Sequence, residues 1–209
     1  MNRYELKKNA KEQLGNGIFH DNWLLAVVSV LAMTAITGLA GSILPAVGVL
    51  LISGPLTYGL NKMFLKQARD GQKMTFTDLF SGFKEDFGQI FLLGLLMSIF
   101  IFLWSLLLIV PGIIMSYAYS MAFYIKADHP EYDWRRCLEE SKTLTYGHKW
   151  DLFVLDLSFI GWAIVGALCL GVGTLWVNAW MMAAKAQAYN VLAENPVNIA
   201  EAEYVDVEE

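Results

Sequence analysis

Asp156 is the one carboxylate set inside a long apolar run, which begins near Leu152, passes through Leu157 to Ala184 without a charge and ends at Lys185. An acid in such a place either lines a path for protons or cations, or is held by a partner that cancels its charge. The polar residues that could share a path with it are Ser116, Tyr117, Tyr119 and Ser120. They lie in a second apolar run, VPGIIMSYAYSMAFYI. Each set also has a plainer reading. A position one turn into a helix would let first-turn amides or Lys149 satisfy Asp156. Gly112, Ser116 and Ser120 recur every four residues, as do Ala163, Ala167 and Gly171, and small residues at that spacing suit close helix packing.

Other chemistry finds no footing. His20, His129 and His148 are scattered, and the chain has no CxxC, HExxH, GxSxG or GxxxxGK[ST] pattern, so no catalytic residue, metal site or cofactor is expected. Cys137 follows Trp134-Arg135-Arg136 in a charged segment, whereas Cys169 sits deep in the third apolar run. A bilayer core of ~30 Å between them would far exceed the reach of a disulfide, so two free thiols are expected.

The elements that position these residues are read from charge-free length. Phe87 to Ile125 is 39 residues without a charge and Asn22 to Asn61 is 40, and a spanning helix needs ~20. Each run has room for two crossings, with turn chemistry at Val110-Pro111-Gly112 and at Gly38, Gly41 and Pro45. Leu157 to Ala184, 28 residues, is read as two crossings broken at Gly171-Val172-Gly173, the second continuing past Lys185. Hydrophobic residues make up 56% of the 209-residue chain and charged ones 17%, too little charge to coat a soluble globule of that size.

The expected fold is therefore all-α: a polytopic bundle of about six spanning helices in three hairpins, at about 22–64, 87–127 and 151–192, within one domain, 22–195. Amphipathic interfacial helices on the cytoplasmic side, lying along the inner leaflet in 65–86 and 128–150, flank the hairpins. Residues 1–21 form a leader with Tyr4, Leu6, Ala10 and Leu14 near one another, suited to an anionic leaflet. The apolar run after it is too long for a signal-peptide core, so no cleavage is expected. Gly15-Asn16-Gly17 ends this helix and Trp23 marks the interface. Segment 65–86 carries Phe76, Leu79, Phe80 and Phe83 at helical spacing, with Thr75 and Asp78 as a capping box. Segment 128–150 places Trp134, Cys137, Leu138, Ser141 and Leu144 on one face, opposite the pairs Arg135–Glu139 and Arg136–Glu140. Residues 196–209 are an acidic, mobile tail.

Basic residues set the orientation. Four of the 15 Lys and Arg lie in the leader, five in 62–86, five in 126–149 and one beyond, and none at the three far turns. That asymmetry predicts a cell-membrane protein with both termini and both long connections in the cytoplasm. A weak repeat supports three units: Phe64 to Arg69, Phe123 to Asp128 and Tyr189 to Glu194 each set an aromatic four residues before Ala68, Ala127 or Ala193. Gly59, Ala118 and Ala184 precede those alanines by nine.

VPGIIMSYAYSMAFYIKADHP, CLEESKTLTYGHKWDLFVLDLSFIGWAIV and GVGTLWVNAW, with the leader KKNAKEQL and Asn22-Trp23, resemble an uncharacterised family of multi-pass membrane proteins from Gram-positive bacteria, known only as a domain of unknown function. The resemblance extends to about Leu192. It implies a polytopic helical fold in the cytoplasmic membrane and carries over no catalytic residue.

The expected function is thus non-enzymatic, as an interaction, scaffold or envelope-associated membrane protein. The alternative is a small-molecule or ion transporter or channel with a polar path near Asp156. The bilayer is the first expected partner, and a membrane protein or a second copy of the chain is left open. With a net charge of -5, a nucleic-acid partner is not expected.

Overall fold

A computed structural model describes residues 2–15, 21–43, 47–71, 73–168 and 171–194. All regular elements among them are helical. Asn16, Gly17, His20, Pro45, Cys169 and the acidic tail 196–209 lie outside the described residues.

A short helix, α1 (Arg3–Leu14), precedes a first hairpin of α2 (Asp21–Ile43) and α3 (Val47–Asp70). A 3-10 turn (Phe76–Phe80) and the one-turn α4 (Ser81–Lys84) lead to a second hairpin, in which α5 (Phe87–Leu107) goes out and α6 (Ile109–Ala118) with α7 (Ala122–Asp128) returns. After α8 (Trp134–Leu144), the third hairpin is α9 (Lys149–Leu157) and α10 (Ile160–Leu168) outward and α11 (Val172–Glu194) back. Within the hairpins α2 packs on α3, α5 on α6 and α10 on α11.

The outgoing and returning members differ in character. Outgoing helices leave large apolar side chains exposed: Leu24, Val28 and Leu31 on α2, Ile99, Phe102 and Leu103 on α5, Trp162, Ile164 and Val165 on α10. The returning helices supply the centre, where Tyr58, Leu60, Met63, Phe64, Tyr124, Ala183 and Tyr189 are buried. Apolar outside and paired polar groups inside is the arrangement suited to lipid as solvent.

Three helical stretches among the described residues are long and apolar enough to cross a membrane: Asp21–Ser42, Phe87–Leu107 and Lys149–Leu168. That is fewer than the six expected, and the shortfall falls on the returning members. α3 carries Asn61, Lys62, Lys66, Gln67 and Arg69 in its last turns, α6 and α7 are separated by a break, and α11 carries Lys185, Gln187 and Asn190.

Both breaks are satisfied by amphipathic helices. At Tyr119–Met121 the Ser141 hydroxyl of α8 donates to the Ala118 carbonyl at 2.8 Å and accepts from the Met121 amide at 3.2 Å. At Ser158–Phe159, which separates α9 from α10, the Lys7 ammonium of α1 donates to the Ser158 carbonyl at 2.9 Å and lies 4.2 Å from the Phe159 ring centre. Ser141→Ala should therefore cost about 1–2 kcal/mol by stranding buried backbone groups, read as a lower unfolding temperature in detergent, while a matched change at exposed Lys142 leaves it unmoved.

The leader differs from its expected role. Leu6, Ala10 and Leu14 are buried, and α1 packs on α11 rather than spending its apolar face on lipid. Trp23 is buried too, its indole donating to the Gly15 carbonyl at 3.0 Å, where Gly15 closes α1 at a φ of 107°. α1 thus does for α11 what α8 does for α7 and what the 3-10 turn and α4 do for α3. The three units share one plan, each returning helix covered by an amphipathic element.

The segment 76–84 hugs α3 because two glycines let backbone meet backbone: a Cβ on Gly59 would stand 2.1 Å from the Leu79 carbonyl oxygen, and one on Gly82 2.3 Å from that of Pro55. The capping box expected at Thr75 does not form, because Asp78 is taken by Lys66 at 3.1 Å. In α8, Cys137, Leu138 and Ser141 are buried as their spacing predicts. Arg136 reaches Glu140 at 3.9 Å, whereas Arg135 turns onto the Trp134 ring, 5.0 Å from its centre. Burial pushes the Cys137 thiol up to about 11, which leaves it protonated and inert at neutral pH.

Candidate functional site

Asp156 is the second-last residue of α9, so first-turn amides are out of reach and Lys149 is not its cation. Its Oδ2 instead meets the Lys185 ammonium of α11 at 3.0 Å and accepts from the Tyr117 hydroxyl of α6 at 3.1 Å. Three elements from two hairpins are tied by one carboxylate. Its Oδ1 is buried and accepts no hydrogen bond from the described residues. Phe153 walls the site by an edge-on contact with Tyr117 at 6.0 Å.

Of the other polar positions read from sequence, none reaches Asp156. Ser116 and Ser120 donate to their own helical turn, to Ile113 at 2.7 Å and Tyr117 at 2.8 Å, the usual way a hydroxyl is accommodated in an apolar helix. Tyr119 is buried against Phe100, ring centres 6.2 Å apart, with the Lys142 ammonium 5.4 Å from its ring.

A second polar centre was not foreseen as a site. Arg69, at the end of α3, forms a two-pronged ion pair with Asp128 at the end of α7, one prong at 2.8 Å, and its Nε donates to Asn190 of α11 at 3.0 Å. The Tyr189 hydroxyl donates to Asp128 at 2.8 Å. All three hairpins are joined here, at the floor of an open basin of about 790 Å³ also lined by Asn9, Tyr132, Glu140, Gln187 and Glu194. The repeat carried the signal: Arg69, Asp128 and Glu194 are the closing residues of its three copies, and all three line this basin.

Burial works against ionisation of Asp128, but the hydrogen bonds from Arg69 and Tyr189 outweigh it and hold the carboxyl below its usual range. Arg69 is correspondingly raised, chiefly by its bond to Asp128. A carboxyl depressed by folding contributes stability that is present above its unfolded pKa, near 4, and is lost as pH falls through its folded value. Asp128→Asn should thus flatten the acid side of the stability profile below about pH 4 while leaving its shape near pH 7 unchanged, as read by unfolding scans across pH.

Two further ties complete the polar end. Glu85 accepts from Lys62 at 2.6 Å and from Tyr58 at 2.9 Å, linking α3 to the start of the second hairpin; burial raises the Glu85 carboxyl, and these two bonds bring it below its usual range. Lys126 is 2% exposed, and its ammonium donates to the carbonyls of Pro130 and Tyr132, each at 2.7 Å, and reaches Asp86 at 3.3 Å. His129 stacks on Tyr132 with ring centres 4.6 Å apart, and His148 meets Asp151 at 3.2 Å. Among the described residues no group of three or more His, Cys, Asp or Glu is placed to hold a metal ion.

Acid–cation ties between helices, each with a tyrosine hydroxyl on the carboxylate, recur at Glu85, Asp128 and Asp156. Such ties neutralise charge and join one hairpin to the next. The profile of the family described as Protein of unknown function (DUF975) matches residues 1–115 and 106–196. The chain belongs to that family. No curated protein and no solved structure matches it. In this DUF975 chain the matched residues take in both polar centres and all three hairpins.

Proposed function

We propose that the chain is a multi-pass integral protein of the cell membrane, crossing six times as three hairpins with both termini in the cytoplasm, and that it acts without catalysis as an interaction, scaffold or envelope-associated protein. The observation that carries this reading is the internal pairing of its charges. Asp156, Asp128 and Glu85 each hold a cation and a tyrosine from another helix or turn, while the outgoing helices leave large apolar side chains exposed. Charges so spent stabilise one arrangement of hairpins. In this reading the returning helices complete their crossings with the polar last turns of α3, α7 and α11 at the cytoplasmic surface, which gathers the Arg69–Asp128 basin and the flanking basic segments on one side. The bilayer is the first partner; the basin, where all three hairpins meet, is the surface offered to a protein partner.

A transporter is the second reading, and one observation favours it: the buried Oδ1 of Asp156, which has no hydrogen-bond partner among the described residues. Reconstitution separates the two. If Asp156 is a clasp, Asp156→Asn in liposomes has the same proton and cation permeability as the parent chain and differs only in thermal stability. A parent chain that carries a flux, and an Asn variant that folds but carries none, would overturn the scaffold reading.

A further inference from the structure

The three amphipathic elements are not spent alike. α1 buries Leu6, Ala10 and Leu14 on the bundle, with Tyr4 left exposed at its start, and α8 buries Cys137, Leu138 and Ser141. The segment between the first two hairpins buries Leu79, yet leaves Phe76 and Phe83 37% and 39% exposed, beside Phe87 at 40%. These rings form a row. Centre-to-centre distances are 5.8 Å for Phe76–Phe80, 6.5 Å for Phe80–Phe83, 6.0 Å for Phe83–Phe87 and 5.9 Å for Phe87–Phe91, the last two stacked. At its Phe91 end the row enters α5, whose own exposed apolar residues continue with Ile99, Phe102 and Leu103.

Charge frames the row. Lys62 and Lys66 are held by Glu85 and Asp78, whereas Lys73, ahead of Phe76, and Lys84, between Phe83 and Phe87, are exposed, and the neighbouring Asp86 is paired with Lys126. A row of phenyl rings running into a helix with an exposed apolar surface, with two exposed lysines in the same stretch, matches the boundary between acyl chains and headgroups. Rings seat below it and cations at its anionic phosphates. A soluble protein partner would cover the rings but not the α5 surface with which they are continuous.

We propose that Phe76, Phe80, Phe83 and Phe87, with Lys73 and Lys84, are a bilayer anchor that seats the segment 73–87 in the anionic leaflet and sets the depth of the bundle. The leader and α8, by contrast, are internal braces. This rests on the membrane reading, and the test keeps the two apart. Full-length protein with Cys137→Ala and Cys169→Ala carries one nitroxide, through a single Cys replacing Phe76, Phe83, Phe102 or Glu139, in vesicles of phosphatidylcholine with and without phosphatidylglycerol. Collision with oxygen reports lipid, and collision with a water-soluble nickel chelate reports water. Labels at 76, 83 and 102 should be oxygen-rich and nickel-poor, and the label at 139 the reverse. Phosphatidylglycerol should deepen 76 and 83 in the parent chain but not in Lys73→Gln/Lys84→Gln. Nickel access at 76 and 83 with 102 still in lipid would overturn the anchor alone, and nickel access at 102 would overturn the membrane reading itself. Poor access of both reagents at 76 and 83 would mean cover by protein, and equal depth with and without phosphatidylglycerol would remove the headgroup contact; either result contradicts the proposal.

Discussion

Lys126→Met is expected to lower the stability of the bundle by about 2–5 kcal/mol, because it removes the two hydrogen bonds that a buried ammonium donates to half-buried carbonyls, each worth roughly 1.5–3 kcal/mol when the donor is charged. Lys126 is 2% exposed, and Pro130 and Tyr132 accept from it at 2.7 Å each. Its carboxylate partner, Asp86, is 53% exposed at the side chain, so the ion pair itself adds little. The cost lies in those two hydrogen bonds, which hold the turn from α7 to α8. Thermal unfolding in detergent, beside Lys11→Met at an exposed site, reads it. Equal midpoints for the two variants would contradict this role.

The second large effect is a cycle between Asp156 and Lys185. Asp156→Leu alone leaves an ammonium without its counter-ion in an apolar bundle. The full cost for a buried pair is about 3–5 kcal/mol; with Lys185 30% and Asp156 23% exposed it should be about 2–3 kcal/mol. Asp156→Leu with Lys185→Met removes both charges and should recover most of that loss, since an apolar pair of similar volume is often no worse than a buried ion pair. Unfolding midpoints of the four proteins give the coupling directly. Additive losses would show that the two side chains do not act as a pair.

Much of the architecture was legible because charge-free runs of some 28 to 40 residues are long signals. The charge-free stretches located all three hairpins, and the period of Cys137, Leu138 and Ser141 located the buried face of α8. Partner choice was not legible. Asp156 meets Lys185 and Tyr117 across 29 and 39 positions of sequence, distances over which spacing says nothing, so a local partner such as Lys149 was the nearer guess. The leader shows the same limit: Leu6, Ala10 and Leu14 mark an apolar face equally suited to lipid or to α11, and only packing decides. Lys126, counted among the basic residues that orient the chain, is fully enclosed because its own turn folds back over it. The returning helices fell below the length or apolarity of a span because their last turns carry the residues that clasp the hairpins, among them Arg69 and Lys185.

The central claim, three membrane hairpins with every connecting segment on one face, is tested most directly by labelling single cysteines in sealed, oriented vesicles with a membrane-impermeant maleimide. The native cysteines are first replaced, and the reporter is placed at Lys73, Glu139 or Val110, all exposed. Cysteines at 73 and 139 should react from the cytoplasmic side only, and that at 110 from the opposite side only. Labelling at 73 or 139 from outside, or at 110 from the cytoplasm, would contradict the account.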